Sequence, residues 1–290
     1  MCGRFVSARE RQELIDEFLV ERDEVTSDVA ADYNVAPTDP IFAVLSPRPR
    51  QSAESAVLSP RPRQSPESPE SPPVRELRLV RWGLVPSWAK DPSRGARLIN
   101  ARAETIAVKP SFRSAFARRR CLIPADGYYE WRPLGGREHG RPRKQPYYIH
   151  RADGQGMAFA GIYELWRDRA LPDDHPQARL WTATIITTQA TDDVGWVHDR
   201  MPMVVSPARW ADWLDPAAGD ADSLLRSITP ATSEGLATRP VSTAVNSVAA
   251  DGPELLTPLL ASAAEAVPDE VGQSRRGTGG QEAMLPWIPQ

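Results

Sequence analysis

Residues 43–55 (AVLSPRPRQSAES) recur at 56–68 (AVLSPRPRQSPES) with one difference, Ala53 against Pro66, and further Pro-Glu-Ser units follow. This tandem duplication restricts the fold more than any other stretch. Proline has no amide to give a sheet ladder, and the segment has too few apolar residues to order itself by burial. Its thirteen-residue period is too short and too rich in proline for a solenoid. The stretch from 46 to 73 therefore reads as a disordered insertion in an existing connection. Whatever folds must be built from the chain on either side of it.

Those flanks carry many short apolar runs and few long ones. Strands are expected at Ile41 to Leu45, Val74 to Leu84, Cys121 to Pro124, Gly127 to Trp131, Tyr147 to Ile149, Met157 to Ile162, Leu180 to Thr188 and Met201 to Val205. Tyr128-Tyr129-Glu130-Trp131 echoes Ile162-Tyr163-Glu164-Leu165-Trp166, which suggests neighbouring strands. Ser7 and Glu10 have the spacing of a capping box, predicting a helix from Ser7 to about Val20 that packs Leu14, Ile15, Phe18 and Leu19. Shorter helices are expected at Ser111 to Arg118 and from Ser206-Pro207 to Leu214. The pattern is that of a single α+β domain over 1–260, a mainly antiparallel β core with peripheral helices. Beyond it, 261–290 reads as a disordered tail.

Two cysteines, Cys2 and Cys121, provide neither a disulfide framework nor metal-ligand spacing among the 290 residues. No metal and no cofactor is expected. Charged residues at 9–11 occupy the place of a signal peptide's apolar region, and no apolar run is long enough to span a bilayer. A cytoplasmic monomer without membrane attachment is expected. The formal net charge of −3 conceals an uneven distribution: residues 75–151 hold eighteen Lys or Arg against six Asp or Glu. Such a segment is either a phosphate-binding surface or a solvated face.

Cys2 stands directly behind Met1. Removing the methionine would leave an α-amine and a thiol on one residue, a pair suited to aldehydes. The amine condenses to an imine, and the thiol closes on the imine carbon to give a five-membered thiazolidine. By itself a cysteine there is as readily a small buried apolar residue. Asn100, Glu130, His198 and Arg200 are the polar positions whose context a loop does not explain, whereas His139, His150 and His175 lie in or beside loops. A carboxylate beside the amine could relay its proton, a histidine could protonate a leaving oxygen, and an asparagine could orient the reactants. Each also has a bland reading, as a strand-surface carboxylate, a structural histidine or a turn residue.

The blocks MCGRF (1–5), YNVAPT (33–38), RWGLVPSW (81–88), LINARAET (98–105), CLIPADGYYEW (121–131), HDRMP (198–202) and VNSVAADGPELLTP (245–258) together resemble the SOS response-associated peptidase (SRAP) family. The likeness covers about 1–45 and 74–260. It implies covalent capture of abasic sites in single-stranded DNA, within the DNA damage response and on nucleoid DNA. By the resemblance Cys2 would form the thiazolidine, Asn100 would position sugar and amine, Glu130 would transfer protons at the amine, and His198 would assist ring opening. Arg4, Asn34, Arg102, Trp131 and Arg200 would contact DNA. Two other activities remain open: a cysteine peptidase or autopeptidase using Cys2, Glu130 and His198, and a noncovalent single-strand-binding module.

Overall fold

A computed structural model describes residues 2–47, 74–138, 140–218, 221–228 and 235–259. The insertion, from residue 48 on, and the tail expected over 261–290 lie outside the described residues. The N-terminal part holds β1 (Arg4–Ser7), α1 (Arg11–Glu17), β2 (Arg22–Asp23), β3 (Asp32–Val35) and β4 (Pro40–Leu45). After the insertion come β5 (Glu76–Trp82), β6 (Asn100–Arg102), α2 (Arg113–Arg118) and β7 (Arg120–Ala125). Four long strands follow: β8 (Gly127–Glu138), β9 (Arg141–Arg151), β10 (Met157–Arg167) and β11 (Arg179–Gln189). The chain then forms α3 (Asp192–Gly195), β12 (Arg200–Pro202), α4 (Trp210–Leu214), α5 (Ala221–Ile228) and β13 (Leu236–Pro240).

These elements make a mainly antiparallel α+β domain, as expected. The larger sheet closes on itself. β11, β10, β7, β4 and β5 pair in that order, and β5 returns to β11 where Arg81 and Trp82 pair with Thr182 and Ala183. Closure removes the exposed edges that an open sheet would leave. Alternation along these strands divides their apolar residues between two cores. Phe42, Val44, Leu122, Ala160 and Ile186 join Leu14 and Phe18 of α1, Phe116 of α2 and Trp213 of α4. Ala43, Leu45, Cys121, Ile123, Phe159 and Ile185 join Cys2, Phe5 and Tyr128 of the second sheet, whose order is β13-β9-β8-β1-β3.

Aromatic edges join the two sheets. The Phe5 ring lies 5.2 Å from Trp82 and 6.0 Å from Phe159, and Tyr128 lies 6.1 Å from Phe159, all near perpendicular. The Tyr-Glu echo therefore does not mark neighbouring strands. The edges of β8 are taken by β1 and β9, so β8 faces the β10 layer across the core instead of pairing with it.

The first helix also starts later than its capping-box spacing suggests. Ser7 ends β1, paired with Asp32, and Asp126 takes the next residues by accepting from the Ala8 amide at 2.7 Å and by ion pairing with the Arg9 guanidinium, whose Nε lies 2.9 Å away. The N-cap is Glu10, whose amide donates to Glu13 Oε2 at 3.3 Å, and the helix ends at Glu17. His150 stands within β9, not in a loop. Among the described residues no helix is long and apolar enough to cross a membrane.

Candidate active site around Cys2

The motif residues Trp82 and Gly83 place Asn100. Gly83 has φ +116, and a Cβ there would meet the Gly95 carbonyl oxygen at 2.5 Å, so only glycine allows this close approach. The turn aims Trp82 Nε1 at the Ile99 carbonyl, 2.9 Å away, and the Ile185 amide donates to the same oxygen at 3.1 Å. Asn100 follows at once, pairing with Ile185 as β6 lies parallel to β11. Its Nδ2 donates to the backbone carbonyl of Cys2 at 2.6 Å. A flipped amide would set two oxygens against each other there, so the orientation is determined. Asn100 Oδ1 is then buried without a hydrogen-bond partner.

Cys2 is fully buried at the head of β1, its Sγ 3.8 Å from the Arg4 carbonyl. Burial pushes its thiol pKa well up, and the Glu130 charge pushes it further. Glu130 is 4% exposed on β8, with Oε1 accepting from the Trp131 amide at 3.3 Å. Two residues earlier on the same strand, Tyr128 is buried with a hydroxyl that has no partner. Its pKa is raised well above 10.0 by burial first, then by Cys2 and Glu130. Cys2, Glu130 and Tyr128 thus form one electrostatic group. Sequence reading missed Tyr128, although strand alternation sets residues i and i+2 on one face and so pairs it with Glu130.

Three of the expected DNA contacts converge on a 3-10 turn at Thr243–Asn246. Arg4 Nη1 donates to Asn34 Oδ1 at 2.7 Å and to the Val245 carbonyl at 3.0 Å, and burial lowers the Arg4 pKa. Asn34 is 3% exposed, and its amide donates to the carbonyls of Ser247 at 2.9 Å and Ala250 at 2.7 Å. Its polar atoms are engaged within the chain. Trp131, half-buried, donates from Nε1 to Asn246 Oδ1 at 2.7 Å.

The remaining candidates flank the end of β11. Thr187 pairs with Arg102 of β6 and with Pro202 of β12. Arg102 is exposed. Arg200 meets Glu104 through two bonds of 2.5 and 3.0 Å and donates to the Thr187 carbonyl at 2.6 Å. That contact holds the Glu104 carboxyl below its usual range. His198 Nδ1 accepts from the Arg200 amide at 3.0 Å and lies 2.8 Å from Asp199 Oδ1. The two contacts demand opposite protonation of Nδ1. Asp199 is 86% exposed, so the backbone bond is the stronger determinant.

The chain is similar to known proteins over nearly its whole length. Residues 1–248 match the model of the family described as SOS response associated peptidase (SRAP). The abasic site processing protein YoqW of Bacillus subtilis is 34% identical over 256 residues, covering 88% of this chain and 99% of the relative. The abasic site processing protein HMCES of Gallus gallus is 36% identical over 237 residues, 74% of this chain and 64% of the relative, and YedK of Escherichia coli is 29% identical over 266 residues, 89% and 100%. A solved structure from Bacteroides thetaiotaomicron shares the fold with a TM-score of 0.65 at 23% identity, over 89% of this chain and all of that one. By motif, by fold and by length of match, the chain belongs to the SRAP family.

Proposed function

We propose that this protein processes abasic sites in DNA, capturing them in single strands as a covalent thiazolidine on Cys2. Its similarity to relatives named abasic site processing proteins supports the substrate. Once Met1 is removed, the Cys2 amine attacks the aldehyde of the ring-opened deoxyribose. Water leaves as the imine forms. The thiol adds to the imine carbon, and its proton ends on the ring nitrogen, so the adduct weighs the two reactants less one water.

The observation that carries this reading is the bond from Asn100 Nδ2 to the Cys2 carbonyl, with Oδ1 of the same amide buried and unpartnered. One end of the amide holds the nucleophilic residue. The other is an acceptor for the Cys2 amine or a sugar hydroxyl. Glu130 takes and returns the amine proton, and His198 protonates the departing oxygen. Arg102 and Arg200 bind phosphates beside the lesion, Arg4 does so while braced by Asn34, and Trp131 stacks a base. The catalytic unit runs from 1 to 260, acts as a monomer in the cytoplasm, and uses neither the 46–73 insertion nor the 261–290 tail.

Burial and the Glu130 charge raise the Cys2 thiol pKa, which disfavours the resting thiolate that a cysteine peptidase uses. Thiazolidine closure lets the amine react first and asks for thiol deprotonation only as the ring closes. Intact mass before and after incubation with single-stranded DNA bearing one abasic site tests the proposal. A gain equal to the DNA minus one water, mapped to Cys2, is expected. A processed but unmodified protein, or an adduct on another residue, overturns it.

A further inference from the structure

Trp196 keeps 44% of its surface exposed, yet its ring is fixed by its neighbours. The indole Nε1 donates to the Asp193 carbonyl at 3.0 Å. Tyr147 packs edge-on with centroids 4.9 Å apart at 82°, and the Arg132 guanidinium carbon lies 5.1 Å from the ring centroid. A ring already ordered loses little conformational freedom when something stacks on it. Exposure alone marks nothing, since single apolar residues are ordinary at a surface and Trp88 is 53% exposed with Arg94 over its ring; the neighbours of Trp196 set it apart.

Its position ties it to the site described above. Tyr147 is directly opposite Glu130 in the β8–β9 ladder, Arg132 lies two residues beyond Glu130 on the same strand, and Trp196 precedes His198 by two. Asp193 and Asp199 on Trp196's own segment are exposed, and the basic charge that favours a polyanion comes from the adjoining β8–β9 arm. β1 pairs with β8 only as far as Tyr129, and the chain after β13 reaches β9 only to Pro146, so from Arg132 and Gln145 outward the β8 and β9 backbones pair with each other alone. Among the described side chains this arm carries Arg132, Arg137, Arg143 and Lys144.

We infer that Trp196, backed by Tyr147 and Arg132, is a stacking platform for the nucleobase beside the abasic position, with that nucleotide's phosphate lying along the β8–β9 arm. The inference rests on the reading of abasic single-stranded DNA as substrate. Aromatic faces accept any base, so the platform supplies affinity and register without sequence preference. A captured strand is then gripped by a base on one side of the gap while the baseless sugar reaches Cys2.

The test uses the full chain carrying Cys2→Ala, so that binding is noncovalent, and a fluorescein-labelled single strand with one central tetrahydrofuran abasic analogue. A second set of strands replaces one flanking nucleotide, on either side, by another tetrahydrofuran. Removing the base that meets Trp196 should weaken binding about tenfold on one side only. Adding Trp196→Ala should weaken binding to the first strand by about the same factor and abolish the difference between strands, while Trp196→Phe keeps most of it. Equal discrimination by the Trp196→Ala protein overturns the platform, as does a parent that binds all strands alike. A parent that binds none of them while remaining folded overturns the underlying DNA reading instead.

Discussion

The side-chain amide of Asn100 donates to the backbone carbonyl of Cys2 at 2.6 Å across a separation of 98 residues. The contact joins the residue ahead of β1 to β6, which pairs with β11 of the closed sheet. Asn100→Ala should lower the rate of crosslinking at least about tenfold, the scale of losing one positioning group. Stability should fall by only about 1 kcal/mol, the usual net worth of one hydrogen bond. Single-turnover gel assays beside urea unfolding check both. Unchanged crosslinking would remove Asn100 from the site.

Tyr128 offers a contrast, because its hydroxyl is buried without a partner. Tyr128→Phe removes that unsatisfied group and should stabilise the fold by about 1 kcal/mol. If the hydroxyl serves the Cys2 and Glu130 group, crosslinking falls several-fold in the same variant. Stability gained with full activity would make the hydroxyl a packing flaw and nothing more.

Both thiols are kept protonated by burial, above their ordinary value of 9.0. A group whose pKa is raised on folding adds stability that is complete below its unfolded value and is lost as pH rises beyond it. Stability should therefore hold through neutrality and fall above about pH 9, by about 1.4 kcal/mol per pH unit for each thiol. Urea unfolding at pH 8, 9 and 10 reads the slope. Cys121→Ala, away from the site, should reduce it by about one such step.

Glu104 pairs with Arg200, so a phosphate bound there would have to displace it. Glu104→Gln should raise affinity for single-stranded DNA about two- to fivefold at low salt and steepen the salt dependence, since a freed guanidinium adds a phosphate contact. Arg102→Ala should act in the opposite sense, reducing the slope by about one. Salt titrations of anisotropy decide this. If Glu104→Gln leaves both quantities unchanged, Arg200 serves to hold β12 against β6 and not to bind the strand.

Leu45 of β4 pairs with Glu76 of β5, so the chain before and after the insertion is already side by side. Replacing 48–73 with a short turn should leave crosslinking within about twofold and stabilise the protein by about 1 kcal/mol, the entropy of closing a shorter loop. A folded but inactive replacement would give the insertion a part in capture.

Local order was legible in the letters of the chain. The apolar runs of Ile41 to Leu45 and Leu180 to Thr188, the 3-10 turn that Ser206-Pro207 opens ahead of α4, and the placing of the insertion between two strands follow from short-range rules of propensity and burial. The spaced motifs pointed to Cys2, Asn100, Glu130 and His198 as chemistry, because each residue type suits one step of an aldehyde reaction. What no local rule contains is which segments become neighbours. Closure of β5 on β11, the facing of β8 across β10 instead of beside it, and the engagement of Ser7 by β3 instead of by a helix cap depend on pairings tens to hundreds of residues apart. The same is true of partners: Asn34 is consumed by Arg4 and the Ser247 and Ala250 carbonyls, and Arg200 by Glu104. The sequence by itself determined which residues could react. Only the tertiary structure decided which of them meet, because a side chain's chemistry is its own while its neighbours are set by packing the whole chain at once.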